Sequence, residues 1–116
     1  MQITHEQITG ETMEVTLISV TGPSLNASNS KTFKAEIAPV LQSAKRLVID
    51  MSAVQFVDSS GLGAILSCLR QLNEHGADMK VFGLSKSVRA LFELVRIHKV
   101  IDIHNSKEEA ISAFAG

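Results

Sequence analysis

The run Leu47-Val48-Ile49-Asp50-Met51 constrains this chain more than any other stretch, because it is apolar on both faces. A strand of that kind belongs in the middle of a sheet covered on both sides. The next segment, Phe56-Val57-Asp58-Ser59-Ser60-Gly61-Leu62-Gly63-Ala64-Ile65-Leu66, passes through small polar residues into helically spaced apolar ones. A buried strand stops, the chain turns, and a helix begins. Asp58, Ser59 and Ser60 therefore fall where the first N–H groups of the helix lack an intrahelical partner, and Asp and Ser oxygens accept such bonds. Gly61 and Gly63 each cost roughly 1 kcal/mol relative to Ala in a helix interior. Two of them in one first turn imply that another group approaches this backbone closely. Two hydroxyls, a flanking acid and a bare helix start suit a plain cap, a phosphate site or a nucleophile.

The rest of the chain falls into place around that centre. Ile3 to Ile8 reads as a weak edge strand ended by Thr9-Gly10-Glu11. Met13 to Val20 reads as a half-buried strand ended by Thr21-Gly22-Pro23-Ser24, and the two form a hairpin. Asn26, Ser28 and Ser30 are candidate N-caps for a helix with Phe33, Ile37, Val40 and Leu41 on one stripe. Pro39 should kink or restart that helix. After the central strand, Leu62, Ile65, Leu66, Leu69 and Leu72 make one helix face, and Gly76 stops it. Met79 to Phe82 is the next strand. Ser85 or Ser87 caps a helix carrying Val88, Leu91, Phe92 and Val95, and Val100 to Ile103 is a short strand. Ser106-Lys107-Glu108-Glu109 is a capping box opening a last helix with Ala110, Ile111 and Phe114 inward. The order is β-β-α-β-α-β-α-β-α: an α/β chain with a mixed sheet of four to five strands and about four helices. Strand–helix–strand units make parallel neighbours through right-handed crossovers. That gathers Thr21 to Ser28, Asp58 to Gly61 and Leu84 to Ser87 at one sheet edge, where open α/β sheets bind their ligands. Asn26, Ser28, Ser59, Ser60 and Lys86 thus form one candidate surface.

Composition removes several function classes. With 116 residues the chain is of one-domain size. Its net charge of −1, without a basic block, gives no footprint for nucleic acid or an anionic membrane. The single cysteine, Cys68, excludes an internal disulfide and zinc-type spacing, and reads as a small core or groove residue. Neither a signal-peptide pattern nor an apolar run of spanning length is present, so a cytoplasmic setting without membrane insertion is expected. Asn26-Ala27-Ser28 matches a glycosylation sequon, a chance match in that setting. The glycines lack the third member of a dinucleotide fingerprint, and no P-loop lysine follows. A hydrolase elbow needs Gly two residues before its serine; Val57 stands there for Ser59 and Asp58 for Ser60. His98 or His104 would have to complete a triad from a distance, and the four histidines show no ligand spacing. Asp58 is read as ordering the turn and Ser60 as the helix cap. No cofactor or metal is expected.

Val48-Ile49-Asp50-Met51-Ser52 followed by Phe56-Val57-Asp58-Ser59-Ser60-Gly61-Leu62-Gly63 resembles the central signature of STAS domains, and among them most of all the bacterial anti-sigma-factor antagonists. The resemblance extends to Gly76-Ala77-Asp78-Met79-Lys80-Val81, to Leu91-Phe92-Glu93-Leu94 and to Glu109-Ala110, and implies a single STAS domain over residues 1–116. It further implies a non-catalytic switch. Unphosphorylated, such an antagonist binds a serine-kinase anti-sigma factor and frees its sigma factor. The kinase then phosphorylates the first serine after the aspartate, here Ser59, and a metal-dependent Ser/Thr phosphatase removes the phosphate. The implied partner surface comprises Asn26, Ser28, Asp58, Ser59, Ser60, Gly61 and Lys86. Two departures from the family pattern stand out. Gly22-Pro23-Ser24-Leu25-Asn26 has Asn where an acid is frequent, plus one extra residue, which bears on which kinase is recognised. Arg96 occupies a late helix turn that often contains Gly, which bears on packing. STAS modules also serve transporters and larger signalling assemblies, so the alternative is a subunit of a membrane transport or signalling complex in which Ser59 need not be phosphorylated. The exposed residues of the edge strand Ile3 to Ile8 could support self-association.

Overall fold

The computed structural model describes residues 3–9 and 14–115. Gly10 and Glu11 of the expected hairpin turn, and Met13 at the expected start of the second strand, lie outside the described residues. In chain order the elements are β1 (Ile3–Thr9), β2 (Glu14–Val20), β3 (Ser24–Leu25), α1 (Ser30–Ser43), β4 (Arg46–Asp50), β5 (Phe56–Val57), α2 (Ser59–Glu74), β6 (Asp78–Phe82), α3 (Lys86–Leu94), a 3-10 turn over Ile97–Lys99, β7 (Asp102–His104) and α4 (Lys107–Ala115).

The two-sided apolar run occupies the place its composition demands. β4 is the middle strand of a five-stranded mixed sheet in the order β1-β2-β4-β6-β7. β1 is the antiparallel edge, with Thr4 opposite Ser19, and β2, β4, β6 and β7 run parallel. Leu47 and Ile49 enter the larger core, shared with Phe33 and Ile37 of α1, Ile65 and Leu72 of α2, and Val88 and Phe92 of α3. Val48 faces the other way, into a smaller core closed by Ala110, Ile111 and Phe114 of α4. Each such side chain, fully buried, contributes roughly 1.5–3 kcal/mol. On that second face Lys80 is only 5% exposed. Its ammonium lies 2.6 Å from Asp102 Oδ2 and 4.7 Å from the centre of the Phe114 ring.

Several local expectations are corrected. α1 runs without a break through Pro39, which is exposed. Asn29 precedes its first turn, in place of Asn26, Ser28 or Ser30, and makes no side-chain capping bond. Ser30 is already helical, while Asn26 and Ser28 are bonded to each other in the preceding turn. Gly76 does stop α2, with φ of 77°. Of the two candidates for α3, Ser85 caps it by accepting the Val88 N–H at 3.2 Å. The last parallel strand begins at Asp102 rather than Val100. Arg96 adopts φ of 66° and starts the 3-10 turn, which leaves Val100 59% exposed and drops Ile101 into the core. At α4, Ser106 Oγ accepts the Glu109 N–H at 3.1 Å, but Glu109 Oε1 reaches back to the N–H of Asn105 rather than of Ser106.

Candidate functional site

The parallel strands β2, β4 and β6 bring their C-terminal ends to one edge, and the short strands β3 and β5 add a second, two-stranded sheet there. In it Ser24 pairs with Phe56 and Leu25 with Val57. Pro23 O accepts from Gln55 N at 2.7 Å and Phe56 N at 3.2 Å. Two turns distant in sequence are thereby laid side by side.

Asp58 joins them. It is the N-cap of α2, with Oδ1 accepting the Gly61 N–H at 2.9 Å and Oδ2 accepting the Ala27 N–H at 3.0 Å. The Gly61 bond, with smaller help from Ala27 and against a partial burial cost, holds the carboxyl below its ordinary range. Asp58 orders the turn, as expected, but it is also the cap, so the assignment of that role to Ser60 is corrected. Ser59 and Ser60 are the first two residues of α2, and both are exposed. Among the described residues neither hydroxyl has a hydrogen-bond partner. A carboxylate already does the capping, and the hydroxyls are left over.

The close approach anticipated at the two glycines exists at one of them. A Cβ built on Gly61 would stand 2.2 Å from Leu25 O, the same oxygen that accepts the Asp58 N–H at 3.2 Å. Nothing lies within 4 Å of a Cβ on Gly63. Only at the first position is the absence of a side chain demanded by a neighbour.

The 24–29 turn is bonded within itself. Asn26 Oδ1 accepts from Ser28 N at 2.9 Å and Ser28 Oγ at 2.7 Å, and Asn26 Nδ2 donates to Ser24 Oγ at 2.9 Å. Asn29 accepts from Asn26 N and donates to Ser24 O, each at 2.9 Å. An aspartate at position 26 could accept the Ser28 bonds and, with the Ser24 hydroxyl turned to donate, that bond too, so this turn does not itself demand the departure from the acidic pattern.

Asn26, Ser28, Asp58, Ser59 and Ser60 thus share one patch, and Gly61 lies buried beneath it against Leu25. Lys86 is exposed at the start of α3, and no hydrogen bond or ion pair among the described residues joins it to the Ser59 turn. Its neighbour Ser87 reaches Gln55 O at 3.4 Å. Between β5 and α3 lies a cleft of about 270 Å³ lined by Gln55, Phe56, Val57, Ser87, Val88 and Leu91. Sequence reasoning missed it. The available signal was that Phe56 and Val57 are consecutive in a strand, so only one of them can point inward. Phe56 is the outward one, 56% exposed.

Other chemistry-bearing groups stand apart. Cys68 is buried in the larger core, and burial pushes its thiol up to about 12. His104 Nδ1 faces Glu109 at 3.2 Å, and His98 is exposed in the 3-10 turn. Among the described residues no group of three or more His, Cys, Asp or Glu is placed to hold a metal ion, and no helix is long and apolar enough to cross a membrane.

The family model described as the STAS domain matches residues 7–110. The chain is 28% identical over 115 residues to a protein of Bordetella bronchiseptica named as an anti-sigma factor antagonist, BtrV, covering 98% of this chain and 95% of that one. The anti-sigma factor antagonist SpoIIAA, solved in its unphosphorylated form, superposes with a TM-score of 0.72 at 21% identity over 99% of each chain. The phosphorylated form of SpoIIAA, from Bacillus, superposes with a TM-score of 0.67 at 20% identity over 96% of this chain and 99% of that one. The murine anion transporter Slc26a9 shares the fold, with a TM-score of 0.75 at 20% identity over 88% of this chain and 18% of that one.

Proposed function

The chain belongs to the STAS domain family, and on that premise we propose that it is an anti-sigma-factor antagonist of a partner-switching circuit, regulated by phosphorylation at Ser59. Residues 1–116 act as one STAS domain, without a cofactor and in the cytoplasm. Unmodified, the domain binds a serine-kinase anti-sigma factor through Asn26, Ser28, Asp58, Ser59, Ser60 and Lys86, with Gly61 buried beneath that surface and holding its two turns together. The kinase transfers the γ-phosphoryl group of ATP to the Ser59 oxygen, and the complex separates. A metal-dependent Ser/Thr phosphatase restores the binding form. The observation that carries this reading is the capping by Asp58, which leaves Ser59 exposed and unbonded at the head of α2. The identity to BtrV over nearly the whole chain supports the antagonist role, and the solution of SpoIIAA in a phosphorylated form supports the modification. A binding module rather than an enzyme is the reading that the family match supports.

Magnitudes favour a local switch. A phosphoserine adds about −1.5 to −2 charges at pH 7. The helix N-terminus favours a nearby anion by roughly 0.3–1 kcal/mol, and the adjacent Asp58 opposes it by a comparable surface-level amount. The fold is left intact. In the complex, a phosphate enclosed without a cation costs several kcal/mol, and about 1.4 kcal/mol is tenfold in affinity. Binding should fall by a factor of hundreds or more.

The test uses the purified serine-kinase anti-sigma factor encoded in the same genome, with ATP and peptide mass spectrometry. One phosphate on Ser59, absent from Ser59→Ala, and weaker kinase binding by both the phosphoprotein and Ser59→Asp are expected. Equal affinity of the phosphorylated and unmodified proteins sinks the reading. The second reading, a subunit of a membrane transport or larger signalling complex, draws on the Slc26a9 likeness. It gains if no phosphate is found across growth and stress conditions and transporter subunits copurify.

A further inference from the structure

We propose that the cleft between β5 and α3 takes an apolar side chain of the kinase partner, so that affinity is supplied beside Ser59 while Ser59 supplies only the switch. The proposal rests on the function given above and names a surface that this function does not itself require.

The Ser59 turn has little affinity to offer. Both oxygens of Asp58, and the amide oxygen and nitrogen of both Asn26 and Asn29, already bond within the paired turns. Trading one of those bonds for a bond to a partner is an exchange with small net gain. The paired turns, residues 24–28 and 58–61, also fall well short of the roughly 20–30 residues a side that a stable interface occupies. The additional surface has to adjoin them.

The cleft adjoins them without a gap in the chain. Val57 lines it, Asp58 follows, and Ser59 comes next. β5 leads directly into the Ser59 turn, so the cleft flanks a partner seated on that turn. Val57 and Val88 are buried in its lining, Leu91 is half-buried, and Phe56 presents an exposed aromatic ring at its side. Exposed aromatics beside a small apolar recess are the type of residue on which binding energy concentrates. The lining fixes the occupant as apolar. Lys86, next to the lining residue Ser87, has no ion-pair partner among the described residues and favours a carboxylate on the same partner segment. Leu94 is 79% exposed but does not line the cleft, so it serves as an internal control.

The experiment measures binding to the same purified kinase by titration calorimetry, and phosphorylation kinetics, for the full chain and four variants. Phe56→Ala should weaken binding about thirtyfold and raise KM while leaving kcat nearly unchanged, since Ser59 is in place. Phe56→Leu should recover most of the loss, Leu91→Glu should abolish saturation, and Leu94→Ser should match the unaltered protein. Thermal melts verify folding. Phe56 is exposed, so Phe56→Ala decides the matter even if Leu91→Glu unfolds. The proposal is overturned if the unaltered chain binds and is phosphorylated at Ser59 while folded Phe56→Ala binds equally well. If the unaltered chain neither binds nor is phosphorylated, the function itself falls and takes this surface with it.

Discussion

Gly61 and Gly63 stand two residues apart in the same helix turn, yet they should respond to alanine with opposite signs. At Gly61 the new Cβ meets a backbone oxygen at 2.2 Å, so β3 has to move; overpacking of this kind costs about 1–3 kcal/mol. At Gly63 the space is open, and alanine should recover up to about 1 kcal/mol of helix propensity. Urea unfolding of the two variants checks both signs. Asp58→Ala should lower stability, since the helix loses its cap. Because the folded carboxyl titrates below its ordinary value of 3.8, its stabilisation is present above that value and is lost as pH falls through the range below it. Asp58→Asn keeps one accepting oxygen but turns its amide N–H groups toward the second backbone donor, so it should lose stability at neutral pH and flatten the acid limb of the stability curve. At Arg96, φ of 66° is a conformation that costs an L-residue about 1–2 kcal/mol. Arg96→Gly should gain a part of that and Arg96→Val should lose stability. The residues of this site were largely legible, since Asp58-Ser59-Ser60 announces a helix start. Which of them caps was not, because Asp and Ser serve that position about equally well. The capping bond itself comes from Gly61, and a second bond comes from Ala27, 31 residues away, which no local pattern announces.

Long elements were readable where a period could repeat: α2 keeps Leu62, Ile65, Leu69 and Leu72 on its buried face, and β4 is apolar on both sides. The two-residue strands β3 and β5 were not readable, because two residues show no period and their pairing depends on the gap at Gly61. β7 was displaced because Val100 and Ile101 look like strand residues, while the turn at Arg96 sends only Ile101 inward. α4 raises an electrostatic question that the apolar pattern could not pose, since it closes over a buried lysine. Lys80→Met replaces the ammonium by an apolar group of similar size and should be neutral or stabilising. Asp102→Ala leaves Lys80 with Asp78 at 3.9 Å, and should cost about 1 kcal/mol because Asp102 itself is largely in solvent. The Lys80 bond holds the Asp102 carboxyl below 3.8, so this contribution too is present above that value and fades as pH falls below it. Denaturant titrations from neutral to acid pH should show the difference between Asp102→Ala and the unaltered protein shrinking in that window.

The whole molecule should be a rigid carrier of a local change. Phosphorylated protein should show the hydrogen-exchange pattern of the unmodified form everywhere except in residues 25–28 and 58–61. Loss of protection in β4, or along the length of α2, would mean that the modification acts by loosening the fold. The covered sheet and the edge that gathers its turns were legible, because alternating strands and helices leave few topologies. The cleft was not, since its walls come from β5 and α3, and nothing in either stretch alone predicts the other. The same distance between cooperating segments bears on descent. Ala27 gives its main-chain N–H to Asp58 and Leu25 sets its main-chain oxygen against Gly61, so what residues 56–61 require of residues 23–29 is a backbone path rather than particular side chains. A chimaera importing a turn of the same length and path should therefore keep the fold, and side chains on the outer surface of either turn are free to diverge while that path is kept.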